Sequence, residues 1–330
     1  MWLLSTDRAE LHYFTSPESV PGGYAILSHV WDQTKEQSFQ DIRTLEFECR
    51  SDLRNPRDSV SDKIRGCCEL AARQGYSWVW IDTCCIDKAS SAELSEAINS
   101  MYHYYSLAEV CFAYLADVPN STEVRLEAKR SAFRTSRWHT RGWTLQELIA
   151  PPFLVLVSQT WDPLGTKADL AHLLEEITGI PSSVLRYEKR VSDASIAQRM
   201  FWYGTRKTTR IEDEAYCLLG IFGINMPTLY GEGSRAFQRL QEEIMRQSTD
   251  TSLFAWGSRV EYLHHQFQIS RSHREHNENS YFFASSPSCY LTCEAITCTL
   301  GSQTWYEAGN GSLLAVSELV LLRIAYSNVQ

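Results

Sequence analysis

From residue 24 to about residue 161, short apolar runs alternate with longer amphipathic ones. YAILSHVW (24–31), SWVWID (77–82), VCFAYL (110–115) and FLVLVS (153–158) are apolar nearly throughout and of strand length, the pattern of strands buried on both faces. Residues 59–74 place Val60, Ile64, Cys67 and Ala71 on one helical face, with Ser or Asp to cap the start and Gly75 to stop the helix. A second helix is predicted over 91–107, with Leu94, Ile98, Met101 and Tyr105 on one side, and a short third near 144–149. Parallel strands need a crossover of about a dozen or more residues, so strands separated by helices predict a parallel sheet. In such sheets function concentrates in the loops after the carboxyl ends of the strands.

Beyond Trp161 the pattern becomes helical, over 170–177, 194–202, 212–219 and 234–247, the last with Phe237, Leu240 and Ile244 at helical spacing. HHQFQISRSHREHNENS then reads as an exposed loop, and 281–290, 294–300 and 313–326 as short strands. The expected partition is an α/β domain over 1–165, a helical extension packed on it over 166–257, and a β-rich C-terminal region over 258–330. No internal repeat is visible.

Forty acidic against thirty-one basic side chains give a net charge of −9, the wrong sign for a protein whose main partner is nucleic acid. The N-terminus MWLLSTDRAE lacks the apolar region of a secretory signal, and no run approaches the roughly 18 apolar residues of a membrane span, so a cytoplasmic location is expected. Of the ten cysteines, Cys67/Cys68 and Cys84/Cys85 are adjacent in sequence and others lie in apolar runs, which suits buried reduced thiols. Cys289, Cys293 and Cys298, with His273 and His276 upstream, do not have a common zinc spacing, and no metal site is predicted. Ten Trp and sixteen Tyr are a heavy aromatic load, which serves cores and ring-stacking sites alike.

Three polar clusters follow the predicted strands. They are Ser28-His29-Val30-Trp31-Asp32, the run Asp82-Thr83-Cys84-Cys85-Ile86-Asp87-Lys88, and RTSRWHTRGWTLQEL (134–148), which gathers arginines, Trp138, Trp143 and Glu147 around Gly142. At one sheet edge they would share one pocket. Asp82 reads equally as a turn cap or a ligand contact, and His29 as a hydrogen-bonded structural residue or a base. Cys84 and Cys85 read as packing. Trp138 and Trp143 are open between core and ring stacking. Glu147 stands one helical turn after Trp143, either on a site face or as a first-turn glutamate favoured by the helix dipole. YGEGSRAF (230–237) lacks the G-K-[ST] of a P-loop and reads as a tight turn before a helix; TTRIEDEAY (208–216) reads as a structural ion-pair and capping network.

YAILSHVW, VWIDTCCIDKASSAELSEAINSMYHYYSLAEVCFAYLADV, SRWHTRGWTLQELIAP, RKTTRIEDEAYCLLGIFGINMPTLYGEGSRAFQRLQEEI and SLFAWG together resemble the fungal heterokaryon incompatibility (HET) domain proteins from residue 1 to about 257. Departures are Asp32, in VWDQ, where the family usually has a TWG-type sequence, and FWYGTRKTTR in place of SWA-x-R-x-TTR. The HET domain is in turn similar to TIR domains, whose parallel sheet is flavodoxin-like with helices on both faces. Many TIR domains cleave NAD+ at the nicotinamide–ribose bond with a glutamate in a W-x-x-x-E stretch, a spacing that Trp143 to Glu147 reproduces. The resemblance therefore implies Glu147 as the catalytic residue and Ser28, His29, Trp31, Asp82, Arg137, Trp138, Arg141 and Trp143 as substrate-binding. Arg137 or Arg141 would hold the pyrophosphate and Trp31, Trp138 or Trp143 would stack a ring. One carboxylate suffices because nicotinamide leaves as a neutral ring from a cation and needs no general acid. The chain lacks G-x-G-x-x-G after its first predicted strand, so NAD+ is expected as a substrate and not as a bound cofactor. The resemblance further implies self-association, an incompatibility or sensor partner, and a role in cell death; its rival is a non-enzymatic signalling module.

Overall fold

Four of the apolar runs become the parallel centre of a seven-stranded mixed sheet. The computed structural model describes residues 1–32, 36–120, 125–256, 283–291 and 293. The strands are β1 (Trp2–Ser5), β2 (Leu11–Tyr13), β3 (Ala25–His29), β4 (Trp78–Trp80), β5 (Val110–Tyr114), β6 (Leu154–Val157) and β7 (Pro163–Thr166), in the order β2-β1-β4-β3-β5-β6-β7. β4, β3, β5 and β6 run parallel. Both edges depart from the all-parallel expectation: β1 is antiparallel to β2 and β4, and β7 is antiparallel to β6. The connections 6–10 and 158–162 are too short for a crossover, so these pairs can only turn back on themselves. In β3 all five residues are buried, as a strand covered on both faces requires.

Helices α1 (Phe39–Asp52) and α2 (Asp62–Arg73) separate β3 from β4, and α3 (Ser91–Leu107) separates β4 from β5. Ser90 caps α3 by accepting from the Glu93 amide, and its apolar side buries Ile98, Met101 and Tyr105 as the spacing predicts. Tyr24 donates its hydroxyl to the Tyr104 carbonyl at 2.6 Å and Tyr105 to the Leu27 carbonyl at 2.8 Å, so two buried phenols sew α3 to β3.

After the short α4 (Thr144–Ile149), a separate helical region follows the sheet: α5 (Ala171–Thr178), α6 (Ser182–Leu185), α7 (Ile196–Phe201), α8 (Asp213–Tyr216), α9 (Leu219–Phe222) and α10 (Arg235–Gln247). The single helix predicted over 212–219 is two short ones, α8 and the start of α9. A parallel bridge between Arg141 and Lys207 docks this region on the segment that leads into α4: the Gly142 amide donates to the Lys207 carbonyl at 2.9 Å and the Lys207 amide to the Thr140 carbonyl at 2.8 Å. Packing of α9 on α3 adds a second attachment.

The strand expected over 281–290 is corrected where it is described, since Pro287–Tyr290 is a 3-10 turn. Pro287 fixes φ and has no N–H for a ladder, which suits the first position of a helical turn. Gln241 of α10 pins the segment by exchanging hydrogen bonds with the Ala284 backbone at 2.8 and 2.9 Å. The strands expected over 294–300 and 313–326, together with Cys298, His273 and His276, lie outside the described residues. Cys84, Cys85, Cys67, Cys68 and Cys111 are buried, free thiols. Among the described residues no helix is long and apolar enough to cross a membrane.

A Cβ at Gly220 would lie 2.0 Å from Tyr102 Cβ, so α9 can meet α3 only through a glycine here. Gly220→Ala should gain about 0.5–1 kcal/mol in helix propensity and lose more to overpacking. The expected net is a loss of about 1–2 kcal/mol in unfolding free energy by chemical denaturation; an unchanged or raised midpoint would contradict the packing.

Candidate functional site

The first two polar clusters meet through Asp82. Ile81 turns the chain after β4 by accepting from the amides of Cys84 and Cys85, which buries both thiols and leaves Asp82 facing the end of β3. Asp82 is not a turn cap: its carboxylate accepts from His29 Nε2 at 2.9 Å and from Trp31 Nε1 at 2.7 Å. Nδ1 of His29 lies 3.3 Å from Glu36, whose carboxylate also pairs with Lys63 and accepts from the Asp32 amide at 2.6 Å. The loop after β3 is thus tied to a buried charge, and Asp32 enters through its backbone. Lys88 places its ammonium 3.8 Å above the Trp31 ring.

The third cluster brings Glu147 to β3 on a helix of only six residues, all of them buried. Thr144 anchors its start, donating to the carbonyls of Trp138 at 2.6 Å and Arg141 at 2.8 Å. The Lys167 ammonium closes its other end on the carbonyls of Leu148 (3.1 Å), Ile149 (3.4 Å) and Pro151 (2.5 Å). Burial pulls the Lys167 amine down to about 7. The Glu147 carboxyl accepts from the Ser28 hydroxyl at 2.5 Å, and Ser28 accepts from Trp138 Nε1 at 2.8 Å. A buried indole therefore orients a buried hydroxyl, which holds the carboxyl.

Asp82 and Glu147 titrate in opposite directions. Burial pushes Glu147 up to about 8 from an ordinary 4.5, and the Asp82 charge adds to the rise; the Ser28 hydrogen bond and the charges of Arg141 and Arg206 oppose it. Burial also acts against the Asp82 carboxylate, yet the hydrogen bond and charge of His29, the Lys88 charge and the Trp31 donor together hold it below its usual value. At neutral pH Asp82 is ionised and Glu147 holds its proton, one pocket keeping two carboxyls in different states.

Both face a cavity of about 420 Å³. Ile86, Leu94, Ile98 and Met101 make its floor, and His29, Trp31, Lys88, Arg141, Trp143 and Thr144 contribute from the sheet side. Thr209, Arg210, Asp213 and Tyr230 complete it from the helical region. A mostly apolar floor with a few convergent polar groups is the ordinary form of a small-molecule site.

Of the residues expected here, Glu147, His29, Trp31, Asp82, Arg141 and Trp143 line the cavity. Ser28 and Trp138 stand behind Glu147 as its support; Trp138 is buried, with its indole N–H committed to Ser28, and does not line the cavity. Arg137 lies outside, its side chain exposed and 3.8 Å from Asp117. Lys88, Arg210, Asp213 and Tyr230 were missed as site residues. Lys88 ends a cluster that the strand-end rule had marked, whereas the other three come from segments read as structural. Glu212 fits that structural reading: it accepts from the amides of Gly231 (2.8 Å) and Gly233 (3.1 Å) and so fills the glycine turn with a carboxylate of the chain itself. Asp213 instead accepts from the Tyr230 hydroxyl at 2.9 Å on the cavity wall.

The raised Glu147 value fixes a sign. The folded state binds this proton more tightly than the unfolded chain, so the contribution is fully present below about 4.5 and is lost as pH rises through about 8. Glu147→Gln keeps an acceptor for Ser28 and removes the titration. The variant's stability relative to wild type should therefore grow by on the order of 3 kcal/mol between pH 5 and pH 8. Denaturant melts at the two pH values check this, and a pH-independent difference would contradict the buried carboxyl.

Residues 24–131 match the family described as heterokaryon incompatibility protein (HET), and residues 235–315 match a domain of unknown function (DUF8212). The vegetative incompatibility protein HET-E-1 of Podospora anserina is 43% identical over 248 residues, covering 72% of this chain and 18% of that protein. The chain thus spans less than a fifth of the curated relative it matches. No solved structure matches. On these sequence matches the chain belongs to the heterokaryon incompatibility (HET) domain family and is homologous to HET-E-1.

Proposed function

We propose that the chain is a cytoplasmic effector of vegetative incompatibility that triggers cell death, and that its TIR-like domain hydrolyses NAD+ at the nicotinamide–ribose bond upon self-association. The name of the relative, a vegetative incompatibility protein, supports the biological role. The strand order supports the fold assignment: counted from β3, the four parallel strands run 2-1-3-4, the start of the flavodoxin-like order 2-1-3-4-5. The antiparallel β7 takes the fifth place. The Glu147 cavity lies beyond the carboxyl ends of β3 and β4; β3 is one of the two strands, with β5, between which the order reverses, and ligands in sheets of this kind bind outside the carboxyl ends near that point.

The observation that carries the chemistry is the Glu147 carboxyl, held by Ser28 and Trp138 at the wall of a cavity that also holds arginines and indoles. The nicotinamide ring arrives as a cation beside ionised Asp82, and its charge favours release of the Glu147 proton to solvent. The C1′–N bond then breaks with its electron pair going to nicotinamide, and the carboxylate stabilises the oxocarbenium-like sugar. Water adds at C1′ and loses a proton, giving ADP-ribose. Arg141 and Arg210 suit the pyrophosphate, and Trp31 and Trp143 the rings. The rival, a non-enzymatic module acting by self-association, draws on apolar side chains exposed along one edge, Tyr13 on β2 and Phe47 on α1.

Nicotinamide release from NAD+ by concentrated, assembled protein tests the reading. Wild type should turn over with kcat/KM rising with pH to an apparent pKa near 8, the ionised Glu147 being the working form. Glu147→Gln should lose at least about 100-fold. Absence of turnover in assembled wild type would leave the scaffolding module, and full activity in Glu147→Gln would remove Glu147 from the mechanism.

A further inference from the structure

Beyond Ile149, at the far end of α4, lies a second cavity of about 420 Å³ that shares no lining residue with the first. Its cations are Lys189, Arg190 and Arg199, and no lining residue is acidic. Arg190 is committed to Asp193, with nitrogen to oxygen distances of 3.0 and 2.8 Å. Arg199, on α7, donates from Nη1 to the Ile221 carbonyl at 3.2 Å and lays its guanidinium 4.7 Å over the Phe222 ring. Its Nε is buried and has no hydrogen-bond partner among the described residues. A buried donor without an acceptor is unfavourable, and an anion drawing the guanidinium toward it would satisfy it. Lys189 is exposed at the rim. Tyr102 of α3 and Tyr187 supply aromatic surface, and the Tyr187 hydroxyl donates to the carbonyls of Ile149 (3.0 Å) and Ala150 (2.5 Å), which fixes that ring in place.

We propose that this cavity binds a phosphate-bearing ligand with a planar ring, in class a phosphorylated nucleoside, with the phosphate between Arg199 and Lys189 and the ring against Tyr102 and Tyr187. The pairing of forked and point cations with aromatic faces is what recognises the two halves of such a molecule. The site is independent of the NAD+ reading, since no Glu147-cavity residue takes part.

Calorimetric titration of the full chain with AMP, with inorganic phosphate and with adenosine tests it. AMP should bind, more tightly than phosphate or adenosine alone, at a site that persists in Arg141→Ala. Lys189→Ala, at an exposed position where folding is not at stake, and Arg199→Gln should each weaken AMP by about 10-fold, while Arg141→Ala in the other cavity leaves it unchanged. The proposal is overturned if AMP does not bind at millimolar concentration or if Lys189→Ala binds AMP as wild type does. It is equally overturned if Arg141→Ala abolishes binding, which would place AMP in the Glu147 cavity, or if phosphate alone binds as well as AMP.

Discussion

The hydrogen bond from the Ser28 hydroxyl to the Glu147 carboxyl joins the central strand to a helix too short to stand by its own ladder. Much else in the molecule serves that contact. Trp138 gives its indole N–H to Ser28, Thr144 pins the helix start, and Lys167 closes its end, each with polar groups removed from water. Such an arrangement is costly, since burial acts on both the Glu147 carboxyl and the Lys167 amine against their charged forms. A strongly shifted carboxyl at the wall of a cavity marks Glu147 as the candidate functional residue.

The helical region is part of the site and not an appendage to it. Arg210, Asp213 and Tyr230 close the cavity whose other walls come from α3, α4 and the loops after β3 and β4, and the Arg141–Lys207 bridge fixes the helical region against the segment that leads into α4. Asp82 is equally shared: it orders Trp31 and His29, and its charge is one cause of the raised Glu147 value. A change at Asp82 or Arg141 would be felt at Glu147 through electrostatics as well as through packing.

The parallel strands and α3 were legible because buried strands and a one-sided apolar helix leave continuous or periodic runs. Of the residues that the strand-end rule marks, His29, Trp31, Asp82, Arg141, Trp143 and Glu147 line the cavity and Ser28 supports Glu147. The edge pairs β1–β2 and β6–β7 were not legible: each is short, and WLLS and PLGT carry no alternation that marks pairing direction. Arg137 and Trp138 adjoin the same glycine-containing segment as Arg141, but a 3-10 turn from Arg137 to Thr140 sends Arg137 to solvent and Trp138 into the core. Residue type and spacing do not resolve that turn. The contribution of Arg210, Asp213 and Tyr230 depends on a tertiary contact across a long sequence separation, which no local pattern encodes.

Glu147 is a buried carboxyl held in its protonated form at neutral pH by its surroundings. Carbon-13 NMR of the glutamate carboxyls, assigned by comparison with Glu147→Gln, reads that state directly. One resonance should titrate near pH 8 and move higher when Ser28→Ala removes the opposing hydrogen bond. A Glu147 resonance that titrates at the ordinary value near 4.5, unmoved by Ser28→Ala, would contradict it.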